Sequence, residues 1–325
     1  MASGEDDFIA RHFAPFAGPG GLGLRDDAAL VAPPPGAEIV LTVDAIVAGV
    51  HFLPDDPPAD IAAKALRVNL SDLAAKGATP LGFLLSLALP PDWDDAAMAA
   101  FAAGLRGDAE AYRCPLLGGD TVSTPGPLTV SITALGAVPV GRMVPRGGAG
   151  EGDVLFVSGA IGDAALGLRL LRGDPLMSGL AATHGEALVA RYRRPQPRLP
   201  LVAALRECAG AAMDVSDGLV GDLTKMLGLA GLSAVVRVAD VPVSKAGEGA
   251  LQQSSALWPV LLTGGDDYEI LCAVPMERAV RFERMAAEAG TAVTRIGATR
   301  RGGETTFLDA AGEVMRFERL SWSHL

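Results

Sequence analysis

Six aspartates carry the chemistry open to this chain: Asp27 in RDDAAL, Asp44 in VLTVDAI, Asp72 in VNLSDLAA, Asp120 in LLGGDT, and Asp214 and Asp217 in MDVSDGL. Each stands at one end or the other of an apolar stretch, near Gly, Ser, Thr or another Asp. Hard divalent cations such as Mg²⁺ take oxygen ligands in near-octahedral geometry, and in proteins Mg²⁺ joins one or two carboxylates to substrate phosphates. The set therefore points to nucleotide chemistry with several metals rather than to acid chemistry. The four histidines, His12, His51, His184 and His324, lack zinc spacing. Only His51, in GVHF soon after Asp44, is placed to face the same site.

The whole chain narrows the setting. With 325 residues, 50% hydrophobic and 20% charged, it is globular and exceeds one ordinary core, so two domains are expected. A net charge of −11 argues against nucleic acid and anionic membrane as partners, which need basic patches. It also means that cations must stand between this acidic protein and any phosphate. Cys114, Cys208 and Cys272 form no CxxC and are odd in number, which fits reduced, buried thiols in a cytoplasm. The acidic start MASGEDDFIA is unlike a basic secretory signal. Residues 121–141 are uncharged over a membrane-spanning length, but Pro125, Pro127 and Pro139 interrupt them, and LTVSITALGAV reads as a buried strand.

Elements that would position the aspartates follow from periodicity and punctuation. A helix at 5–14 leads into the glycine run GPGGLG, then strands at 28–32 and 38–44 separated by PPPG. Ile61, Leu66, Leu70 and Leu73 form the apolar stripe of a helix over 60–76. A strand at 81–89, a helix at 94–112, a strand into LLGGDT and a strand at 128–138 complete the first half. The connector GRMVPRGGAGEGD sets a boundary near residue 147, giving domains 1–146 and 147–325. Beyond it the chain alternates: strand DVLFVSG, helix 162–172, helices within 185–208, strand AAMDVS, helix 217–229 and strand SAVVRV. After a loop come strand YEILCAV, helix 276–289 and strands near 293–298, 304–309 and 313–317. Such alternation implies α/β or α+β layers around mixed sheets.

Each candidate has a plainer alternative. The literal GxGxxG at Gly18–Gly23 lacks the preceding strand and following helix of a dinucleotide site, and none of Lys64, Lys76, Lys225 and Lys245 stands in a P-loop. Asp26 and Asp27 suit a turn as well as a ligand. Asp44 ends a buried strand and needs a partner. Asn69 and Asp72 share a helix face close to the inward stripe, where polar groups must be satisfied. GGDT at 118–121 is either a plain turn or a close backbone approach to a ligand. In MDVSDGL, Ser216 or Asp217 either caps a helix or offers oxygen and N–H groups to metal and phosphate. TGGDDYE at 263–269 has the same character.

Taken in order, DDAAL, TVDAIVAGVHF, KALRVNLSDLAAKGATP, GGDT, GRMVPRGGAGEGD, YRRPQPRL, AMDVSDGL and GGDDYE closely resemble the thiamine-monophosphate kinase family over essentially the whole chain. Its superfamily also holds aminoimidazole ribonucleotide synthetase, selenide water dikinase and a hydrogenase maturation protein. The resemblance implies an N-terminal α+β domain, with a mixed or antiparallel sheet pairing into a barrel across a homodimer, and a C-terminal α/β layered domain. It implies Mg²⁺ ligands at Asp27, Thr42, Asp44, Asp72, Asp120, Asp214 and Asp217, and ATP contacts at Gly119, Asp120, Arg146 and Ser216. His51, Asp266 and Trp322 fall where the family contacts thiamine phosphate. Arg25, Lys76 and Asp266 depart from the Gly, Met and Glu common there.

The implied reaction moves the γ-phosphoryl of ATP to the phosphate of thiamine monophosphate. With a second pKa near ~6, that acceptor oxygen is already largely ionised. The obstacle is repulsion, about 4 kcal/mol per pair of unit charges ~4 Å apart at an effective dielectric of ~20. Metal ions held by Asp44, Asp72 and Asp120, with Arg146 as an added clamp, answer it. Other superfamily chemistries remain: selenide water dikinase would want an N-terminal Cys, and the hydrogenase protein a C-terminal one, whereas an aminoimidazole ribonucleotide synthetase-like enzyme or a non-catalytic Mg·nucleotide or thiamine-phosphate binder needs neither.

Overall fold

The structure is a computed structural model that describes residues 4–322. Backbone contacts divide it into two units: residues up to Leu73 with Ala78–Gly141, and Ala74–Gly77 with Arg142 onward.

The first unit runs α1 (Gly4–His12), β1 (Ala37–Val47), α2 (Pro58–Ala75, whose last residues enter the second unit), β2 (Thr79–Leu89), α3 (Asp95–Ala111), β3 (Leu116–Ser123) and β4 (Thr129–Pro139). Its sheet has the order β1-β4-β2-β3, antiparallel except for the parallel pair β2 and β3. Strand alternation separates two faces. On one, Ile46, Phe83, Leu85, Leu87, Val130, Ile132 and Ala134 are buried. Helix α2 is tied to that side by the bond from Asp44 N–H to Asn69 Oδ1, 3.0 Å. Its expected stripe, Ile61, Leu66, Leu70 and Leu73, is likewise buried. Helix α3 begins at Asp94, whose carboxylate caps Ala97 N–H, and it crosses α2 so closely that a Cβ on Gly104 would stand 2.5 Å from Ala59 O.

The second unit contains β5 (Val154–Ser158), α4 (Asp163–Leu171), α5 (Ala182–Arg193), α6 (Val202–Cys208), β6 (Ala211–Asp214), α7 (Leu219–Gly228), β7 (Leu232–Arg237), α8 (Lys245–Gln253), α9 (Trp258–Thr263), β8 (Ile270–Val274), α10 (Met276–Glu288), β9 (Val293–Arg301) and β10 (Thr306–Leu308). The sheet order is β10-β7-β9-β5-β8-β6, and only β10 and β7 are parallel. Strands β5 and β8 are buried at every position because apolar layers cover both faces. Leu155, Val157, Leu271 and Ala273 join one core with Leu219 and Leu223 of α7, whereas Phe156, Ile270, Cys272 and Val274 join another with Leu205 of α6 and Phe282 of α10.

Several expected elements differ. Residues 28–32 form no strand; Leu30 N–H bonds Gly20 O at 2.8 Å, and the following Pro33, Pro34 and Pro35 have no N–H with which to join a ladder. The segment after β7, expected as a loop, contains α8 and α9. Gly247, Gly249 and Pro259 mask their helical signal, and packing overrides it: a Cβ on Gly249 would meet His184 Nδ1 at 2.5 Å. Residues 313–317 make only an isolated bridge, Leu308 with Val314, and Phe317 stacks edge-on against Phe307 instead of extending a strand. The three cysteines are buried and unpaired; burial pushes the Cys114 thiol up to about 12, out of reach of thiolate chemistry. No helix among the described residues is long and apolar enough to cross a membrane.

Candidate active site

In the first unit the candidates occupy two opposite faces of one sheet. Thr42 and Asp44 stand two apart on β1 and so project together toward α2. There Thr42 Oγ1 donates to Asp72 Oδ2 at 2.5 Å, and Asp44 N–H donates to Asn69 Oδ1. Asn69 is fully buried and its amide nitrogen also donates to Ala65 O at 3.0 Å, so helix-internal bonding and strand docking share one side chain. The expected common face of Asn69 and Asp72 is therefore present. These donors, carboxylate, hydroxyl and amide oxygen, are the oxygen set a hard cation prefers. His51, just beyond β1, accepts Val47 N–H at its Nδ1 (3.0 Å), which leaves the proton on Nε2, and Lys64 Nζ holds His51 O at 2.9 Å.

Asp120 faces the other way. Register pairs Asp44 with Ile132 and Ile132 with Leu85, whereas Asp120 pairs with Ser86 and Ser86 with Ser131. Asp44 and Asp120 thus lie on opposite faces and three strands apart, roughly 14 Å at ~4.8 Å per strand. A pocket of about 770 Å³ opens on the Asp120 side, lined by Asp26, Asp27, Ser86, Gly119, Asp120 and Thr133 among others. The glycine run shapes its wall through close contacts: a Cβ on Gly20 would meet Leu30 O at 2.4 Å, and one on Gly21 would meet Leu117 O at 2.7 Å. Gly119 is likewise required by its neighbour, since a Cβ there would stand 1.9 Å from Leu85 O. Among the described residues, no three acidic, His or Cys side chains are close enough to share a metal ion. The aspartates of this unit form two groups because strand register puts them on different faces.

In the second unit the candidates converge on the turn after β6. Ala212 N–H donates to Pro145 O at 3.0 Å, which sets exposed Arg146 beside the strand that ends at buried Asp214. Neither Ser216 nor Asp217 caps α7: the N-cap is Gly218 with φ +117°, and no side chain bonds the helix start. Asp222 in the first turn instead accepts Asp217 N–H at 2.9 Å. Burial raises the Asp222 carboxyl above the usual carboxylate range, partly countered by that bond. The Asp217 carboxylate accepts Lys225 Nζ at 2.6 Å. Two further segments meet this turn. Asp266 N–H bonds Ser216 O at 2.8 Å, and Trp322 N–H bonds Asp217 O at 2.9 Å. Ser216, Asp217, Asp266 and Trp322 are thereby gathered, with the Trp322 ring partly exposed.

Residues 25–138 match the family described as AIR synthase related protein, N-terminal domain, and residues 150–309 match its C-terminal domain. Thiamine-monophosphate kinase of Caulobacter vibrioides is 42% identical over 98% of this chain and 90% of its own length. The chain belongs to the thiamine-monophosphate kinase family. A solved family structure, the thiamine-monophosphate kinase of Stenotrophomonas maltophilia, has a TM-score of 0.78 at 36% identity, covering 90% of this chain and 91% of that one. AaThiL in complex with AMPPCP and TMP has a TM-score of 0.79 at 30% identity, covering 92% and 91%. The two-domain AIR synthase-like fold expected of a family member is thus shown.

Some residues around the site have only weak signals in the sequence of this kinase family member. Lys225 pairs with Asp222 at i,i+3 on an amphipathic helix, which reads as surface charge until Asp217 is seen beside it. Ser86 lies opposite Asp120 only through strand register. Lys76, one of the departures from the family pattern, donates from Nζ to Ala212 O at 2.7 Å, a structural use for the cation.

Proposed function

We propose that this protein transfers the γ-phosphoryl group of ATP to the phosphate of thiamine monophosphate, giving thiamine diphosphate and ADP. The full-length relation to thiamine-monophosphate kinases carries the reading. Thr42, Asp44 and Asp72 would hold Mg²⁺ on the α2 side of the first unit's sheet. Asp27 and Asp120 would hold it at the pocket on the other side, and Asp214 and Asp217 at the start of α7. Bound there, Mg²⁺ supplies positive charge that offsets repulsion between the two phosphate chains. Gly119, Arg146 and Ser216 are assigned to ATP. Exposed Arg146 presents guanidinium donors suited to two phosphate oxygens at once. The acceptor phosphate is already ionised near neutral pH, so no residue is assigned as general base.

His51, Asp266 and Trp322 are assigned to thiamine monophosphate. The indole of Trp322 suits the face of a cationic thiazolium, and an imidazole such as that of His51 is a group that can donate to a phosphate. Asp266 is one methylene shorter than the family's usual Glu. A left-handed backbone, φ +68°, and its anchorage to Ser216 set its reach. A homodimer completes the proposal. The uncovered sheet face carries Leu41 at 63% exposure and Val43 at 61%, together with Ile39 and Leu84, an apolar strip suited to a second copy. Asp120 and Ser86 share that face, so the pocket would lie beside the subunit contact.

The test is ADP release as a function of Mg²⁺ with thiamine monophosphate, thiamine, selenide and formylglycinamidine ribonucleotide compared side by side. Stimulation by thiamine monophosphate alone is expected. No stimulation by it sinks the reading, and binding without turnover favours a nucleotide- or thiamine-phosphate-binding regulator.

A further inference from the structure

The segment that presents Asp266 has an unusual backbone. Asp266 and Tyr268 both adopt the left-handed region, at φ +68° and +52°, a conformation that non-glycine residues hold only where surroundings impose it. Backbone bonds supply part of the constraint: Tyr268 N–H to Val215 O at 2.9 Å and Val215 N–H to Glu269 O at 2.8 Å. Side chains supply the rest. They alternate, with Asp267 and Glu269 buried beneath the segment and Asp266 and Tyr268 half-exposed above it.

Glu269 is the anchor. With 0% exposure, its Oε1 accepts Arg191 Nη2 at 2.7 Å and Arg198 Nη2, and its Oε2 accepts Arg198 Nε at 2.6 Å and Ser158 Oγ at 2.6 Å. Ser158 Oγ in turn accepts Ile270 N–H at 2.8 Å, so the hydroxyl orients the carboxylate and the strand that follows it. Beside it, both carboxylate oxygens of Asp267 accept Gly162 N–H at 2.9 Å. The space is filled, since a Cβ on Gly159 would stand 2.2 Å from Glu269 Oε1. A buried ion pair of this kind adds little stability over apolar packing of the same volume; what it supplies here is a single geometry.

We propose that Glu269, clamped by Arg191, Arg198 and Ser158, is the positioning residue that holds Asp266 in its left-handed pose and so sets affinity for the phosphate acceptor without touching it. The inference rests on the assignment of Asp266 to thiamine monophosphate. Glu269→Gln and Ser158→Ala, in the full chain, test it through KM for each substrate and through amide hydrogen exchange across residues 264–270. Breaking a charge-assisted clamp is expected to raise KM for thiamine monophosphate about tenfold in Glu269→Gln and about threefold in Ser158→Ala, with KM for ATP within about twofold. Exchange at Asp266 and Tyr268 should quicken in both. Combined with Asp266→Ala, Glu269→Gln should add nothing further, since it acts through that residue.

Equal shifts in both KM values, no shift in either, or full additivity with Asp266→Ala overturns the proposal. Ser158→Ala removes one of four donors and carries the test where Glu269→Gln does not fold. If the unmodified chain is not stimulated by thiamine monophosphate, the functional reading falls. The exchange measurement still decides the clamp, and unchanged exchange in Ser158→Ala refutes it.

Discussion

The Asp217 carboxylate accepts a 2.6 Å hydrogen bond from Lys225 Nζ, two turns along α7, so a proposed metal ligand is already matched by a cation. The pair is substantially exposed, and exposed ion pairs are worth roughly 0–1 kcal/mol. A metal ion at Asp217 therefore competes with an ammonium group for the same oxygen. Lys225→Met should lower the Mg²⁺ concentration for half-maximal turnover by up to about fivefold, the equivalent of ~1 kcal/mol. Titration of activity with Mg²⁺ checks this; an unchanged midpoint removes Asp217 from the ligand set.

Asp44→Asn keeps the backbone bond to Asn69, and Asp120→Asn alters an exposed side chain, so neither change disturbs packing. Each should cut turnover by about 10²-fold or more, the scale of losing one preorganised electrostatic contact. Unfolding free energy should change by less than about 1 kcal/mol. ADP release and a urea melt on the same preparations separate the two effects, and near-normal turnover in either variant refutes that residue's role.

Leu41→Glu places a carboxylate in the middle of the exposed apolar strip of β1. Burying a leucine contributes about 1.5–3 kcal/mol, and a two-fold contact loses it once in each subunit, so the change should weaken self-association about 100-fold or more. Sedimentation should show a dimer for the unmodified chain and a monomer with little activity for the variant. A fully active monomer would place the subunit contact elsewhere.

Burial holds the Asp267 carboxyl well above the usual carboxylate range, only partly offset by the bond from Gly162. In the unfolded chain the group has its ordinary pKa near ~3.9. Above that value the native state retains a proton that the unfolded state has lost, so this group's contribution to stability declines as pH rises toward the folded pKa. Asp267→Asn keeps one acceptor for Gly162 N–H and has no such decline. Its stability relative to the unmodified chain should therefore improve from pH ~4 upward, as measured by urea unfolding across a pH series. A difference that does not vary with pH counts against a shifted Asp267.

Much of this was legible in the chain. Strong periodicity announced α2, β4 and β5, because burial imposes its spacing on the sequence wherever one face or both faces are covered. The apparent strand at 28–32 and the hidden α8 went against local signal. In the first, three prolines removed donors from the adjoining chain; in the second, glycines that weaken a helix are demanded by contacts with distant side chains. Lys225 left only the mark of a surface i,i+3 pair with Asp222, and Ser86 and the Glu269 clamp left none, since each of those two acquires its meaning from a partner far away in the chain or across a strand.

The sequence by itself determined the residue types: aspartates near glycine and hydroxyl groups, in an order that identifies a kinase family. Tertiary structure decided where those oxygens point. In a strand, successive side chains alternate faces, so register with β4 and β2 sends Asp44 toward α2 and Asp120 to the opposite side. No local pattern encodes that register, because it is fixed by pairing between segments many residues apart.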